Sequence, residues 1–298
     1  MDKINRNTIQ LVDVSARDGL QNEPGATALP AEVKAEFLRR LAQSGLTRIE
    51  AGSFVHPKAV PAMANTAEVA ELIRPVEKDF PDVVFSYLVP NIKGLERAKA
   101  VGAREVAIFL ALSEQFSKAN INQGVEESFI NIVPVIKEAN AAGIHVRGYI
   151  SNLFGYDDLP FSPDAVAKRS RQLLEAGCFE VSLGDTTGIG KPEQVDAVIA
   201  ALNEQHVPLH HIAMHFHDTF GSAIANVQRS YELGIRIFDA ATGGLGGCPY
   251  ANSPKGNLAM EDLVGWCQQQ QAPCAVNELD SLRRAAAYIH EKLGKNAA

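Results

Sequence analysis

The sequence predicts an α/β protein: a single (β/α)8, or TIM, barrel with an additional C-terminal helix. Eight short β-rich runs alternate with helical patterns along the 298 residues, as expected of parallel strands joined by crossover helices. Gly45, Gly102, Gly143, Gly177 and Gly234 each close a helical run ahead of a strand, where a left-handed C-cap is wanted. Polar residues gather where strands should end, which is the face on which a barrel builds its site.

In order, the strands are expected at Thr8 to Val14, Arg48 to Ala51, Val83 to Val89, Glu105 to Leu110, His145 to Ser151, Phe179 to Leu183, Ile212 to His217 and Ile237 to Ala240. Pro30-Ala31-Glu32 opens the first helix, and Ser162-Pro163-Asp164 gives the fifth a capped, proline-led start. Asn277 to Leu293 reads as the extra helix beyond the eighth unit. A doubly wound open sheet would need the same strands with helices on both faces, and the strand-end chemistry favours the barrel. No Ser/Gly-rich linker or break in composition divides residues 1–298, so one catalytic domain is expected.

Composition narrows the class. With 46% hydrophobic and 21% charged residues the chain can bury a large core, which excludes disordered and fibrous classes. A formal charge of -7 argues against a nucleic-acid partner, which needs an electropositive face. Met1 to Gln10 has no apolar signal region and no later run approaches roughly 18 apolar residues, so no membrane association and a cytoplasmic location are expected. Cys178, Cys248, Cys267 and Cys274 form no C-x-x-C pair, which suits free thiols better than zinc. Nothing here fixes the assembly; a homo-oligomer such as a dimer is compatible.

Three distant segments carry the chemistry. His215 and His217 stand two apart on an expected strand, so both side chains face one way and can share an ion. Asp218 is placed to orient a neighbouring ligand, while His210 and His211 precede the strand at the opposite mouth and read as structural. Asp18 should end the first strand, with Arg17 aiming elsewhere and Gly19 freeing the backbone to turn; the plain alternative is an Arg-Asp ion pair. Asn257 offers a neutral amide oxygen or, equally, an N-cap for a helix after Leu258. Two imidazoles, a carboxylate and an amide oxygen without thiolate suit Mg2+ or Mn2+ better than zinc.

The segment from Gly243 to Tyr250 lacks the third glycine of a dinucleotide fingerprint and opens no helix directly. It reads as a loop that closes over a ligand and carries Cys248, with a phosphate-cradling loop as the competitor. Glu50 and Asp185 end two apolar strands, for acid/base work or for holding Arg17 and a substrate.

As a set, Arg17-Asp18-Gly19-Leu20-Gln21-Asn22-Glu23, Ser182-Leu183-Gly184-Asp185-Thr186, His215-Phe216-His217-Asp218-Thr219 and Gly244-Leu245-Gly246-Gly247-Cys248-Pro249-Tyr250-Ala251 resemble signature segments of the 3-hydroxy-3-methylglutaryl-CoA (HMG-CoA) lyase family. The likeness runs from about Leu11 to about Leu263. It implies a metal-dependent TIM barrel of leucine catabolism that cleaves HMG-CoA to acetyl-CoA and acetoacetate. By that resemblance Asp18, His215, His217 and Asn257 hold the ion, Arg17 faces the thioester oxygen with Gln21 also at the substrate, Cys248 is the catalytic thiol, and Glu50 and Asp185 complete the site.

One departure stands at Asn152 to Asp158, where the family usually carries a Cys-Pro-Tyr-like turn. If that turn shapes the acyl pocket, the substrate is a related branched 3-hydroxy-diacid thioester of the citramalyl-CoA kind. The rival activities are a condensing acyltransferase resembling isopropylmalate or homocitrate synthase, which usually has an acidic residue at the place of Leu20, and a CoA-thioester binding protein without catalysis.

Overall fold

Runs such as Glu105–Ala111, apolar on both faces, need cover on two sides. The computed structural model, which describes residues 8–246, 256–276 and 278–295, supplies that cover by closing the sheet on itself and ringing it with helices. The strands are β1 (Gln10–Asp13), β2 (Arg48–Ser53), β3 (Val84–Leu88), β4 (Glu105–Ala111), β5 (His145–Ser151), β6 (Glu180–Gly184), β7 (Ile212–His215) and β8 (Ile237–Ala240). Each pairs in parallel with the next, and β8 returns to β1 through Gln10 opposite Ile237 and Asp13 opposite Ala240. The expected barrel is therefore present.

Helices α1 (Ala31–Gln43), α2 (Thr66–Leu72), α3 (Arg74–Asp79), α4 (Ile92–Ala100), α5 (Glu114–Ile121) and α6 (Val125–Ala141) flank the first half. α7 (Pro163–Ala176), α8 (Pro192–Glu204), α9 (Ala223–Glu232) and α10 (Met260–Gln269) follow in the second, and α11 (Leu279–Lys292) is the extra helix. It lies against α1, where Arg40 sits 4.4 Å over the Tyr288 ring. Ser162 caps α7 by accepting from the Ala165 amide at 3.4 Å. All five glycines expected at helix ends have left-handed φ, from 74° at Gly102 to 114° at Gly177.

Three strands are shorter than expected, among them β3, which runs Val84–Leu88 rather than from Val83 to Val89. β1 starts at Gln10, with Ile9 making only an isolated bridge to Cys274, and β7 stops at His215 rather than His217. β2 runs to Ser53, and its register with β3 slips between Glu50 and Gly52, a bulge of the kind that re-aims a side chain near a site.

The barrel interior is not the stack of branched apolar side chains usual for this fold. Arg147, only 1% exposed, lies inside it. Its Nε donates to Glu180 at 2.5 Å, and its two terminal nitrogens donate to Asp239 at 3.0 and 2.6 Å. Arg48 from β2 reaches the same Glu180 at 2.9 and 3.0 Å. A column of charge thus runs from the amino-terminal floor of the barrel to its carboxyl-terminal mouth.

Candidate active site

After β1 the chain enters one wide π-helical turn, Ser15–Gly19, closed by the Gly19 amide donating to Val14 O at 3.0 Å. Asp18 lies within this turn rather than at a strand end. Nor do Arg17 and Asp18 aim apart: Arg17 Nη1 meets Asp18 Oδ1 at 2.7 Å, while its Nε meets Glu50 Oε2 at 2.6 Å. The ion pair that stood as the plain alternative exists, but inside the barrel mouth. Gly19 has no left-handed φ; a Cβ there would stand 2.9 Å from Leu245 Cβ, so close packing is what requires the glycine.

His217 lies beyond β7, yet it keeps the strand's facing. Residues 256–258 pair antiparallel with 216–218: Asp218 donates to Gly256 O at 2.7 Å, Leu258 to Phe216 O at 3.0 Å, and His217 bridges Asn257. The two imidazoles therefore converge with their Nε2 atoms 3.3 Å apart. Ligand atoms of Asp18, His215 and His217 all lie within 4.8 Å of one another.

Asn257 joins them. Its Nδ2 donates to Asp18 Oδ2 at 2.8 Å and to Leu245 O at 3.1 Å. Its Oδ1, buried beside His217, has no hydrogen bond of good geometry. An orphaned buried carbonyl costs about 1–3 kcal/mol, which a cation would offset. The helix-cap alternative fails, because α10 begins at Met260 with Ala259 in the cap position.

Protonation states suit a cation too. Burial pushes the Asp18 carboxyl up, but Arg17 and His215 outweigh it and hold it at about 2. Burial and then the neighbouring His215 push His217 down to about 4, leaving a neutral imidazole. His215 is lowered by burial but raised overall by Asp239, whose Oδ2 lies 3.2 Å from His215 Nδ1. A carboxylate there places the proton on Nδ1 and leaves the Nε2 lone pair for a ligand. Arg147 keeps Asp239 ionised despite burial, and Ser182 donates to it at 2.7 Å. The donor set fits a divalent metal.

Asp239 thus does what the sequence assigned to Asp218, whose Oδ1 instead accepts from Ala223 N at 3.2 Å at the start of α9. Asp239 and Arg147 were not foreseen. Their signal was a lone charge within each of two strands, Ile-Phe-Asp-Ala and His-Val-Arg-Gly-Tyr-Ile-Ser.

Arg17, Asp18, Gln21, His215, His217 and Asn257 line one cavity of about 900 Å³. Glu50 is buried behind Arg17 and grips it through Oε2. Asp185 faces its own loop: Oδ2 accepts from Gly190 N at 3.0 Å, and burial pushes the carboxyl up to about 7 against the loop amides. It is not among the residues lining the cavity. At β5 the cavity is lined by Tyr149, Ile150 and Ser151. The divergent turn after them does not line it but packs on two residues that do: Asn152 N donates to Thr186 Oγ1 at 2.8 Å, and the Tyr156 ring meets Phe116 edge-on at 5.3 Å. Asp158 of the same turn accepts from Ser113 and from Gln115 N. Cys248 lies outside the described residues, which stop at Gly246 on this segment.

The family model described as HMGL-like matches residues 8–289. The chain belongs to the HMGL-like family. Among HMGL-like proteins, the mitochondrial hydroxymethylglutaryl-CoA lyase of Bos taurus is 43% identical over 289 residues, covering 96% of this chain and 86% of that one. The crystal structure of hydroxymethylglutaryl-CoA lyase from Pseudomonas aeruginosa superposes with a TM-score of 0.91 at 41% identity, covering 98% and 95% of the two chains. An HMG-CoA lyase from Acinetobacter baumannii in complex with coenzyme A and 3-methylmalate gives 0.89 at 32% identity, covering 100% and 94%.

Proposed function

We infer that this chain is a hydroxymethylglutaryl-CoA lyase that splits HMG-CoA into acetyl-CoA and acetoacetate. The observation that carries the reading is the convergence of Asp18, His215 and His217 within 4.8 Å beside Arg17 in one large cavity. HMGL-like relatives named as lyases, matched over nearly the whole chain, support it over a condensing acyltransferase.

Asp18, His215, His217 and Asn257 would hold Mg2+ or Mn2+, an ion that acidifies a bound hydroxyl and fixes its geometry. In the reaction the tertiary alcohol loses its proton and becomes the ketone of acetoacetate. The bond to the CoA-bearing fragment breaks, and its electrons pass to the thioester as an enolate. Arg17, held by Glu50, faces that oxygen; loss of one such donor typically costs about 3–4 kcal/mol. Cys248 is assigned the transfer of the proton to the enolate carbon. Gln21 is assigned to substrate contact, and Asp185 to shaping the turn after β6.

The coenzyme A bound to the Acinetobacter relative supports an acyl-CoA substrate here. The 3-methylmalate in the same complex favours a second reading, a related branched hydroxy-diacid thioester. We further propose a single catalytic domain, a homodimer acting in the cytoplasm in leucine catabolism, and no nucleic-acid or membrane partner. No helix among the described residues is long and apolar enough to cross a membrane.

Purified protein with Mg2+ or Mn2+ should release acetyl-CoA from HMG-CoA and lose activity to a chelator. Failure to cleave HMG-CoA or any of a panel of branched hydroxy-diacid CoA thioesters refutes the lyase reading. Cleavage of another panel member alone selects the second.

A further inference from the structure

The metal cluster does not end at its ligands. Asn257 N–H donates to Gly246 O at 3.1 Å, and Asn257 Nδ2 donates to Leu245 O. The Gly246 N–H in turn donates to Glu23 Oε1 at 3.0 Å. The other carboxylate oxygen of Glu23 meets Lys295 Nζ at 2.5 Å, just past the end of α11. An unbroken hydrogen-bonded path therefore leads from the last helix to Asp18, by way of Glu23, Gly246 and Asn257.

Gly246 leaves this path little slack. Its φ is +95°, and a Cβ on it would stand 2.7 Å from Asn257 Nδ2 and 3.1 Å from Gly19 Cα. The Gly246 peptide is wedged between the turn that carries Asp18 and the side chain of Asn257. Whatever fixes its amide also fixes the spacing of those two oxygen donors. The side chain of Glu23 is 6% exposed, and that of Lys295 is 41%. The acceptor is buried against the site, and its cation reaches it from the surface.

We propose that Glu23 is a positioning residue for the metal site, setting Gly246 and through it Asn257 and Asp18, with Lys295 holding Glu23 in place. The inference rests on the divalent-metal reading above. Groups that orient metal ligands typically change metal affinity by about 10–100-fold when removed. Glu23 acts one step further out, so the low end of that range is expected.

Mn2+ binding to the metal-free full chain, followed by the electron paramagnetic resonance signal of free Mn2+, tests this without turnover. Glu23→Ala should weaken binding about 10-fold. Glu23→Gln keeps an oxygen for the Gly246 amide and should recover most of the loss. Lys295→Met should fall between wild type and Glu23→Ala, and it carries the test should the alanine variant not fold. Thermal midpoints are measured alongside. A lowered midpoint with unchanged Mn2+ affinity in Glu23→Ala, or an alanine loss that glutamine does not recover, overturns the inference and leaves the metal site standing. Wild-type protein that binds no Mn2+ overturns the metal reading and this inference together.

Discussion

At the scale of single residues, His217 and Arg17 divide the work. His217 brings a neutral nitrogen to the cluster, its pKa pushed down by burial and His215. His217→Ala should therefore abolish retention of metal through gel filtration, measured by elemental analysis. Metal content equal to wild type would remove the support for the cluster. Arg17 is raised well above the ordinary arginine value, because Glu50 and Asp18 outweigh its burial. It stays cationic at any pH an assay would use. Arg17→Gln should lower kcat by about 100-fold or more, with a smaller change in KM, in steady-state assays with saturating Mn2+.

The cluster residues were legible because local spacing exposed them: His215 and His217 two apart at a strand end, and Asp18 beside a glycine. Asp239 was not legible for a physical reason. One carboxylate in a four-residue strand does not declare which face it occupies, and its partners lie 92 positions away at Arg147 and 57 away at Ser182. Only closure of the ring brings them together.

At the scale of elements, the expected bounds of β5 and β8 match the structure, and all eight strands are present. Errors fell at ends, as with His217, whose extended backbone is completed by residues 256–258 rather than by a neighbouring strand. The reading of Gly19 as freeing the backbone to turn failed because sequence shows a glycine without showing what crosses it. Gly19→Ala should destabilise the protein by about 1–3 kcal/mol, the range for overpacking a tight contact, as measured by urea denaturation.

α1 carries a further testable feature. Lys34 is buried and donates to Ala62 O and Asn65 Oδ1, tying the helix to the segment after β2. Burial pushes its amine down to about 8, below the roughly 10.4 of an unfolded chain. The folded state therefore prefers neutral Lys34, so its charge costs stability in full below pH 8, and the cost fades as pH rises toward about 10.4. Compared with Lys34→Met, wild-type stability should improve over that window. A difference independent of pH from 7.5 to 10.5 would contradict the assignment.

For the whole molecule, the polar interior sets the terms of stability. Arg147 serves Glu180 and Asp239 at once, and Asp239 in turn orients His215. Arg147→Met leaves buried Asp239 without its guanidinium and Glu180 with Arg48 alone, and should cost about 3–5 kcal/mol in denaturant unfolding. Metal affinity should fall with it, because Asp239 loses its anchor.

Repetition suggests that a four-unit half could stand alone, but the floor of the barrel speaks against it. Arg48 comes from β2, and its bidentate partner Glu180 from β6, on the far side of the ring. Split between β4 and β5, the amino-terminal half would leave that guanidinium only Glu105, at 3.7 Å, as a counterion. The two halves are thus complementary electrolytes rather than duplicate modules, and neither should reach its native arrangement until the other is in place.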